Sequence, residues 1–479
     1  VATLVDDRLD DGRAPTPAAA AVRRMPMGQL LAFISPVLPI GAAVLPLTLY
    51  LPAYYGSYVG LGLGVVGFCF FVVRTLDIGL DPVVGWVVDR TRTRWGQCRP
   101  WMLGGAILTV VSVLMLFLAP PGSTAPYLVA GLLMIYGGMS ILGVAQPAWA
   151  ARLAPSYDER SRLYAWMQVA ASTGTLLLLG LPMVIGAIGG QKAGDELHLM
   201  GLGLAVAIPL TVALALWRTP EPKVPRAHLG VDSRVRFIDY ARLLRRPNIL
   251  RLVISDLFVN LGTATSSTLF LFFWHAARGY SGPETSFIIF MYYLASLVSV
   301  PLWVRVVRRI GKRPAFLLSG LGFVLFMPLM AFLPRHRLEV VVPAMCMVGL
   351  TFSAASFLIR AMAADTGDEA RLESGVDRMG QIYGLLSSTA KVGSALAVGV
   401  AFAIMDRVGF KPALGGANPP AVLGVLTVVY VGAPAFSTFI GLLSILGYRL
   451  DTAEHERVRS ALAARDAEAE AAQTPAYHS

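Results

Sequence analysis

Apolar runs near the length of a bilayer crossing, broken by short polar stretches, dominate this chain. The first six are roughly Leu30–Tyr54, Tyr58–Val88, Pro100–Leu118, Tyr127–Ala150, Leu163–Ile188 and Leu199–Trp217. After a polar stretch from Arg218 to Asn248 come Ile249–Trp274, Thr285–Val307, Ala315–Leu333, Val340–Ala364, Met379–Met405 and Val422–Leu446. A hydrocarbon core of ~30 Å takes about 20 apolar residues in helical form, so the pattern predicts about twelve transmembrane helices. Two groups of six around a charged middle loop point to a duplicated, two-half architecture. The expected organisation is a tail over 1–28, a six-helix bundle over 29–217, a middle loop over 218–248, a second bundle over 249–448 and a tail over 449–479.

A weak internal repeat supports the duplication. The loop after the second run ends in Trp95-Gly-Gln-Cys-Arg-Pro100, and the loop after the eighth ends in Ile310-Gly-Lys-Arg-Pro314. Composition agrees: of 479 residues, 56% are hydrophobic and only 14% charged. The net charge of +11 would suit a nucleic-acid binder if the bases clustered on one surface. They sit instead in short loops after even-numbered runs, as in Arg90, Arg92, Arg94, Arg99, Arg308, Arg309 and Lys312. That is a topology signal: the basic loops and both termini are expected in the cytoplasm, and no nucleic-acid partner is expected. The segment before Arg24 has no apolar core ahead of a cleavage site and reads as a cytoplasmic tail rather than a signal peptide. Cys69, Cys98 and Cys346 are too few and scattered for a disulfide framework or zinc site. No phosphate-cradling Gly-Lys loop, His-Glu-x-x-His pair or nucleophile elbow is present, so neither enzyme chemistry nor a metal or other cofactor is expected.

Candidate chemistry lies where charge interrupts the apolar runs. Arg74, Asp77 and Asp81 are spaced i, i+3, i+7, within about 60° of one another on a continuous helix. Each such charge costs roughly 2.5 to 3.5 kcal/mol near a helix centre, against about 0.3 to 0.6 gained per Leu, Ile, Val or Phe. A face like this belongs in a wet cavity or against partners. A structural Arg74–Asp77 pair would leave Asp81 unexplained. The seventh run carries Asp256, Asn260, Thr263 and Ser267 at i, i+4, i+7, i+11, a polar stripe that turns away from lipid. The eleventh carries Ser387, Ser388, Thr389 and Lys391; a lysine this deep snorkels, is neutral, or meets a carboxylate. Arg360 lies in the tenth run, about 7.5 Å inside Asp365 at ~1.5 Å per residue. Pro36, Pro39 and Pro46 must bend or unwind the first run. Trp149 is either a ligand platform or a packing or lipid-facing residue. Two stretches carry no assigned chemistry. The apolar residues of Arg234–Arg246 fit one helical face that would lie on the membrane surface, and Asp451–Ala472 reads as a solvated helix.

Several motifs together resemble the glycoside–pentoside–hexuronide:cation symporters of the major facilitator superfamily, typified by the melibiose permease. They are Arg74-x-x-Asp-x-x-x-Asp-Pro82 with Gly85 and Asp89, then Arg92-Thr-Arg-Trp-Gly-x-x-Arg-Pro-Trp101, Ala364-Asp-Thr-Gly-Asp368 and Lys391-Val-Gly-Ser-Ala-Leu-Ala397. The resemblance covers nearly the whole chain. It implies the superfamily's all-α membrane fold and a symporter that alternates access between two halves, its partners a small solute, a coupling cation and the bilayer. It also implies a cation site at Asp77 and Asp81, tuned by Arg74 and Lys391. A cytoplasmic charge network would comprise Asp89, Arg92, Arg94, Arg99, Asp158, Arg160, Asp365 and Arg378. Substrate candidates are Asp256, Asn260, Arg360, Trp149, Gln168 and Ser387.

The departures matter. Leu80 replaces an asparagine that serves sodium in the melibiose permease, and losing an oxygen favours a proton over Na⁺. The permease's sugar-binding acids and arginine become Gly41, Ala145 and Gln168, and its tenth-helix tryptophan becomes Ser356. With Arg360 added, this change of sign suggests an anionic solute such as a sugar acid; Arg360 paired with Asp256, or snorkelling, is the bland alternative. Two other readings stay open: a lysolipid-like substrate on the same fold, and a non-transporting sensor. A bacterial inner membrane is the expected location.

Overall fold

The computed structural model describes residues 25–91, 93–153, 157–186, 195–221, 237–374, 378–450, 454–458, 460–462 and 464–465. Twelve of its helices are long and apolar enough to cross a membrane. They are Met27–Val59, Leu63–Val88, Arg99–Phe117, Ala125–Ala150, Arg162–Leu181 and Glu196–Arg218, then Pro247–Ala277, Gly282–Ile310, Lys312–Phe332, Leu338–Ser374, Met379–Arg407 and Pro420–Ile445. Each apolar run thus becomes one span, because a helix alone satisfies every backbone N–H and C=O inside a bilayer.

The first two spans are not simple rods. The first is interrupted at Ser35–Pro36 and loosens into wider turns over Pro46–Tyr50 and Tyr55–Val59, as its prolines require. The second was expected as one helix through both acids. It stops at Asp77 and restarts at Leu80, with a turn over Ile78–Gly79 between. The tenth helix runs 37 residues, roughly 55 Å at ~1.5 Å per residue. That exceeds the ~30 Å apolar core, so its last turns project beyond the arginine-rich end.

Small residues let the first and fifth spans touch backbone to backbone. A Cβ on Gly41 would lie 2.8 Å from Ala171 Cα, and one on Gly174 would fall on the Leu38 carbonyl. Gly41, which the resemblance matches to an acid of the melibiose permease, is therefore in a closed helix–helix contact. Ala145, at the second such position, is fully buried.

The two halves meet along the second and eleventh spans and the fifth and eighth. Gly67 packs against Phe402 and Gly399 against Phe71, toward the end opposite the arginine-rich loops. Tyr50 and Ser286 hydroxyls share a 3.0 Å hydrogen bond across the halves there. Past Gly79 the second span packs on the fourth. At the arginine-rich end, the ion pairs among the described residues join groups of the same half: Arg152–Glu221, Arg246–Glu373 and Lys312–Asp365. The halves are thus zipped at the far end.

The middle-loop helix Phe237–Leu244 forms as its amphipathic pattern predicts. It rests on the protein, since Leu243 is buried in the core of the second half. The C-terminal segment corrects the expectation of a solvated helix. Val458 and Leu462, one turn apart, are buried in the same core, and His455 Nε2 sits 3.3 Å from Asp365 and 3.2 Å from Asp368.

Candidate functional site

At the vertex where the halves begin to part, a cavity of about 250 Å³ gathers the charges that interrupt the second span. Arg74, Asp77 and Asp81 line it with Val44 and Leu47 of the first span, Tyr136 and Ser140 of the fourth, and Lys391 of the eleventh. Lys391 Nζ lies 2.7 Å from Asp81 Oδ2, 3.1 Å from Asp77 Oδ2 and 2.9 Å from the Asp77 carbonyl oxygen. An ammonium has three N–H donors, and here three oxygens surround it. The break at Ile78–Gly79 explains the third: a helix that stops at Asp77 leaves its last carbonyls without intrahelical partners. Discontinuous spans of this kind build ion sites at the membrane midplane.

The remaining contacts hold the acids in place. Ser140 Oγ donates to Asp77 Oδ1 at 3.1 Å, and Arg74 lies 3.8 Å from Asp77 Oδ2. The Arg74 guanidinium stacks 4.1 Å from the Tyr136 ring centroid, a desolvated cation over an aromatic face. Two acids and two bases cancel, which is how four charges persist at this depth. Asp77 is almost fully buried, whereas the Asp81 side chain keeps 35% of its exposure. Asp81 is thus the acid that the cavity reaches.

The predicted substrate residues do not all gather here. Thr389 Oγ1 donates to Asp256 Oδ2 at 2.5 Å, and Asn260 Nδ2 donates to the Asp256 carbonyl at 2.7 Å. Thr389 and Lys391 lie two residues apart, about 200° around a helix, so the eleventh span presents one to the seventh span and the other to the second. Arg360 is exposed, and no carboxylate of the described residues lies within 4 Å of it. Gln168 and Ser387 are also exposed. Trp149 is fully buried, edge-on to Phe33 at 5.2 Å, and packs rather than presenting a platform.

Among the described residues, the charges at the arginine-rich end gather at two hubs. In the first half the hub is Glu221, which sequence reading did not single out. Its carboxylate accepts the backbone N–H groups of Gln97 and Cys98 at 2.9 Å and Arg99 at 3.2 Å, capping the third span, and pairs with Arg152 at 2.9 Å. Gly96 makes this possible: its φ is +120°, and any Cβ there would strike the carboxylate. The Arg99 side chain reaches back to the Leu216 carbonyl, and Arg94 is exposed. In the second half Asp365 is the hub, with Lys312 Nζ 2.6 Å from both of its oxygens and His455 beside it. Arg378 opens the eleventh span, its carbonyl accepting from Gln381 and Ile382. Arg92 and the side chains of Asp89, Asp158 and Arg160 lie outside the described residues.

Comparison with known proteins fits this architecture. The chain is 26% identical over 393 residues to the glucuronide carrier protein homolog of Escherichia coli (strain K12), covering 80% of this chain and 83% of that protein. It is 24% identical over 413 residues to the isoprimeverose transporter of Lactiplantibacillus pentosus, with 85% of each chain covered. It is also 25% identical over 400 residues to the mouse (Mus musculus) sphingosine-1-phosphate transporter, covering 76% and 78%. Among solved structures, the D-xylose-proton symporter superposes with a TM-score of 0.63 at 16% identity, over 88% of this chain and 96% of that one, a likeness of fold. The family model described as MFS/sugar transport protein matches residues 32–452. The chain belongs to that family, the cation symporters of the major facilitator superfamily, and is a multi-pass membrane transporter rather than an enzyme.

Proposed function

We propose that this protein is a proton-coupled symporter of a small sugar-like or sugar-acid solute in a bacterial cytoplasmic membrane, with both termini and the arginine-rich end in the cytoplasm. The observation that carries the reading is Lys391 seated between Asp77 and Asp81. Its ammonium, supplied by one half, sits among acids of the other, where a coupling cation would sit. Protonation of Asp81, the more exposed acid, removes one of the two ionic partners of Lys391. Lys391 then holds the halves together less tightly, and their relative movement becomes linked to proton binding. The Leu80 side chain adds no oxygen to this set, so a metal cation would have to displace the tethered ammonium with few ligands to replace its water.

For the solute, the exposed Arg360 guanidinium offers a planar fork for a carboxylate or phosphate. Closed packing at Gly41 and Ala145 leaves no acid to hold a neutral sugar as the melibiose permease does. A sugar acid suits this arrangement, in keeping with the glucuronide carrier among the relatives. A phosphate ester with a lipid-like tail is the second reading, favoured by the sphingosine-1-phosphate transporter. The test is Asp81→Asn in proteoliposomes. It should lose gradient-driven accumulation while still exchanging labelled solute across the membrane. Full accumulation by this variant would remove Asp81 from the coupling step.

A further inference from the structure

A second concave site lies outside the transport path. At the arginine-rich end, Trp95, Arg99, Leu103 and Leu216 line a groove of about 320 Å³ between the third and sixth spans. Three features set its chemistry. The first is charge: Arg99 forms part of its wall, Arg94 is exposed next to Trp95, and Arg218 lies two residues beyond Leu216 with its guanidinium 4.6 Å from the Trp217 ring centroid. The nearby acid, Glu221, is turned onto the Gln97–Arg99 amides and Arg152, so its charge is already shared. The second is the aromatic pair: Trp95, in the loop just before the third span, and Trp217, at the end of the sixth, are both exposed, where indoles meet the polar headgroups.

The third is what the groove leads into. Leu103, Ile107 and Val111 run up the third span as an exposed stripe, four residues apart. On the sixth, Leu216 lines the groove itself, and Leu210 and Val206 are exposed farther along the span. A free phosphate would satisfy the arginines and leave this apolar valley bare; a molecule with an anionic head and acyl chains fills both.

We propose that this groove is a binding site for an anionic phospholipid of the adjoining leaflet. The headgroup phosphate lies among Arg94, Arg99 and Arg218, and an acyl chain lies in the valley between the third and sixth spans. A basic concavity between spans at a membrane interface is the arrangement that retains anionic lipids. The lipid would also brace Arg99, and through it the start of the third span.

The full-length protein in phosphatidylcholine vesicles containing a minor fraction of phosphatidylglycerol tests this. The acyl chains of one lipid or the other are brominated, at equal total bromine, to quench nearby tryptophans. The Trp95 contribution is the difference between the intact chain and Trp95→Phe. Trp95 should be quenched several times more by brominated phosphatidylglycerol than by brominated phosphatidylcholine. That preference should fall about fivefold for each of Arg94→Gln and Arg218→Gln. Equal quenching by the two lipids, or a preference that survives both arginine substitutions, would overturn the assignment. Native mass spectrometry of the unsubstituted protein gives an independent reading if Trp95→Phe fails to fold. Retention of phosphatidylglycerol over phosphatidylcholine supports the site, and indifference between them refutes it.

Discussion

Removing the charge of Glu221 should loosen the start of the third span, and Cys98 is positioned to report it. In Glu221→Gln the side chain keeps its shape and one carbonyl acceptor but loses the negative charge. Three backbone N–H groups and Arg152 depend on that carboxylate, which is almost wholly buried at 4% side-chain exposure. A hydrogen bond to a charged group contributes about 1.5 to 3 kcal/mol, and a charge at a helix N-terminus about 0.3 to 1. Gln recovers part of the bonding, and Arg152 keeps some contact with solvent, so the net local loss is about 2 to 4 kcal/mol. At tenfold per 1.4 kcal/mol, this opens the Gln97–Arg99 turn roughly 30- to 700-fold more often. The thiol of Cys98, a fully buried residue whose backbone N–H donates to Glu221, becomes exposed in the open form. In a background lacking Cys69 and Cys346, maleimide labelling of Cys98 should accelerate by that factor when opening is fast and reversible. An unchanged labelling rate would show that Glu221 does not hold the turn.

Two further outcomes follow from the site. Arg360→Lys should weaken binding of an anionic sugar while Arg360→Gln nearly abolishes it, read by thermal shift of the purified protein against glucuronate and a neutral glycoside; tight neutral-glycoside binding untouched by Arg360→Gln would remove Arg360 from recognition. Gly41→Asp, which restores the acid found at this place in the melibiose permease, should destabilise rather than create a sugar site: its Cβ alone falls 2.8 Å from Ala171 Cα, an overpacking that costs about 1 to 3 kcal/mol. A Gly41→Asp protein of unchanged melting point that gains affinity for neutral sugars would contradict that packing.

The spans were legible because a bilayer-length apolar run has few other fates, and Asp77, Asp81 and Lys391 because charge at that depth is costly enough to need a purpose. Their convergence was expected only from the family resemblance, which sets Lys391 beside the two acids; spacing alone does not tell which acid a buried lysine meets. The break at Ile78–Gly79 was hidden for a different reason. A glycine inside a helix costs only ~1 kcal/mol, so Gly79 alone does not announce an interruption. Glu221 escaped notice because an acid just past a span looks like any solvated loop residue until the turn at Gly96 brings three amides onto it. The docked C-terminal segment did leave a trace, Val458 and Leu462 at i, i+4 in an otherwise charged stretch, but a two-residue stripe is too short to separate from chance. Trp149 shows the opposite hazard: a large aromatic near the end of a span can be read as a platform, and here it is buried against Phe33.

If Lys391 occupies the cation position, a proton acting through Asp81 drives transport. The most direct measurement is labelled-solute uptake into proteoliposomes under two imposed gradients: pH without sodium, and sodium at constant pH. Accumulation is expected under the pH gradient, none under the sodium gradient, and none under either in Asp81→Asn. Accumulation driven by sodium at constant pH would contradict it.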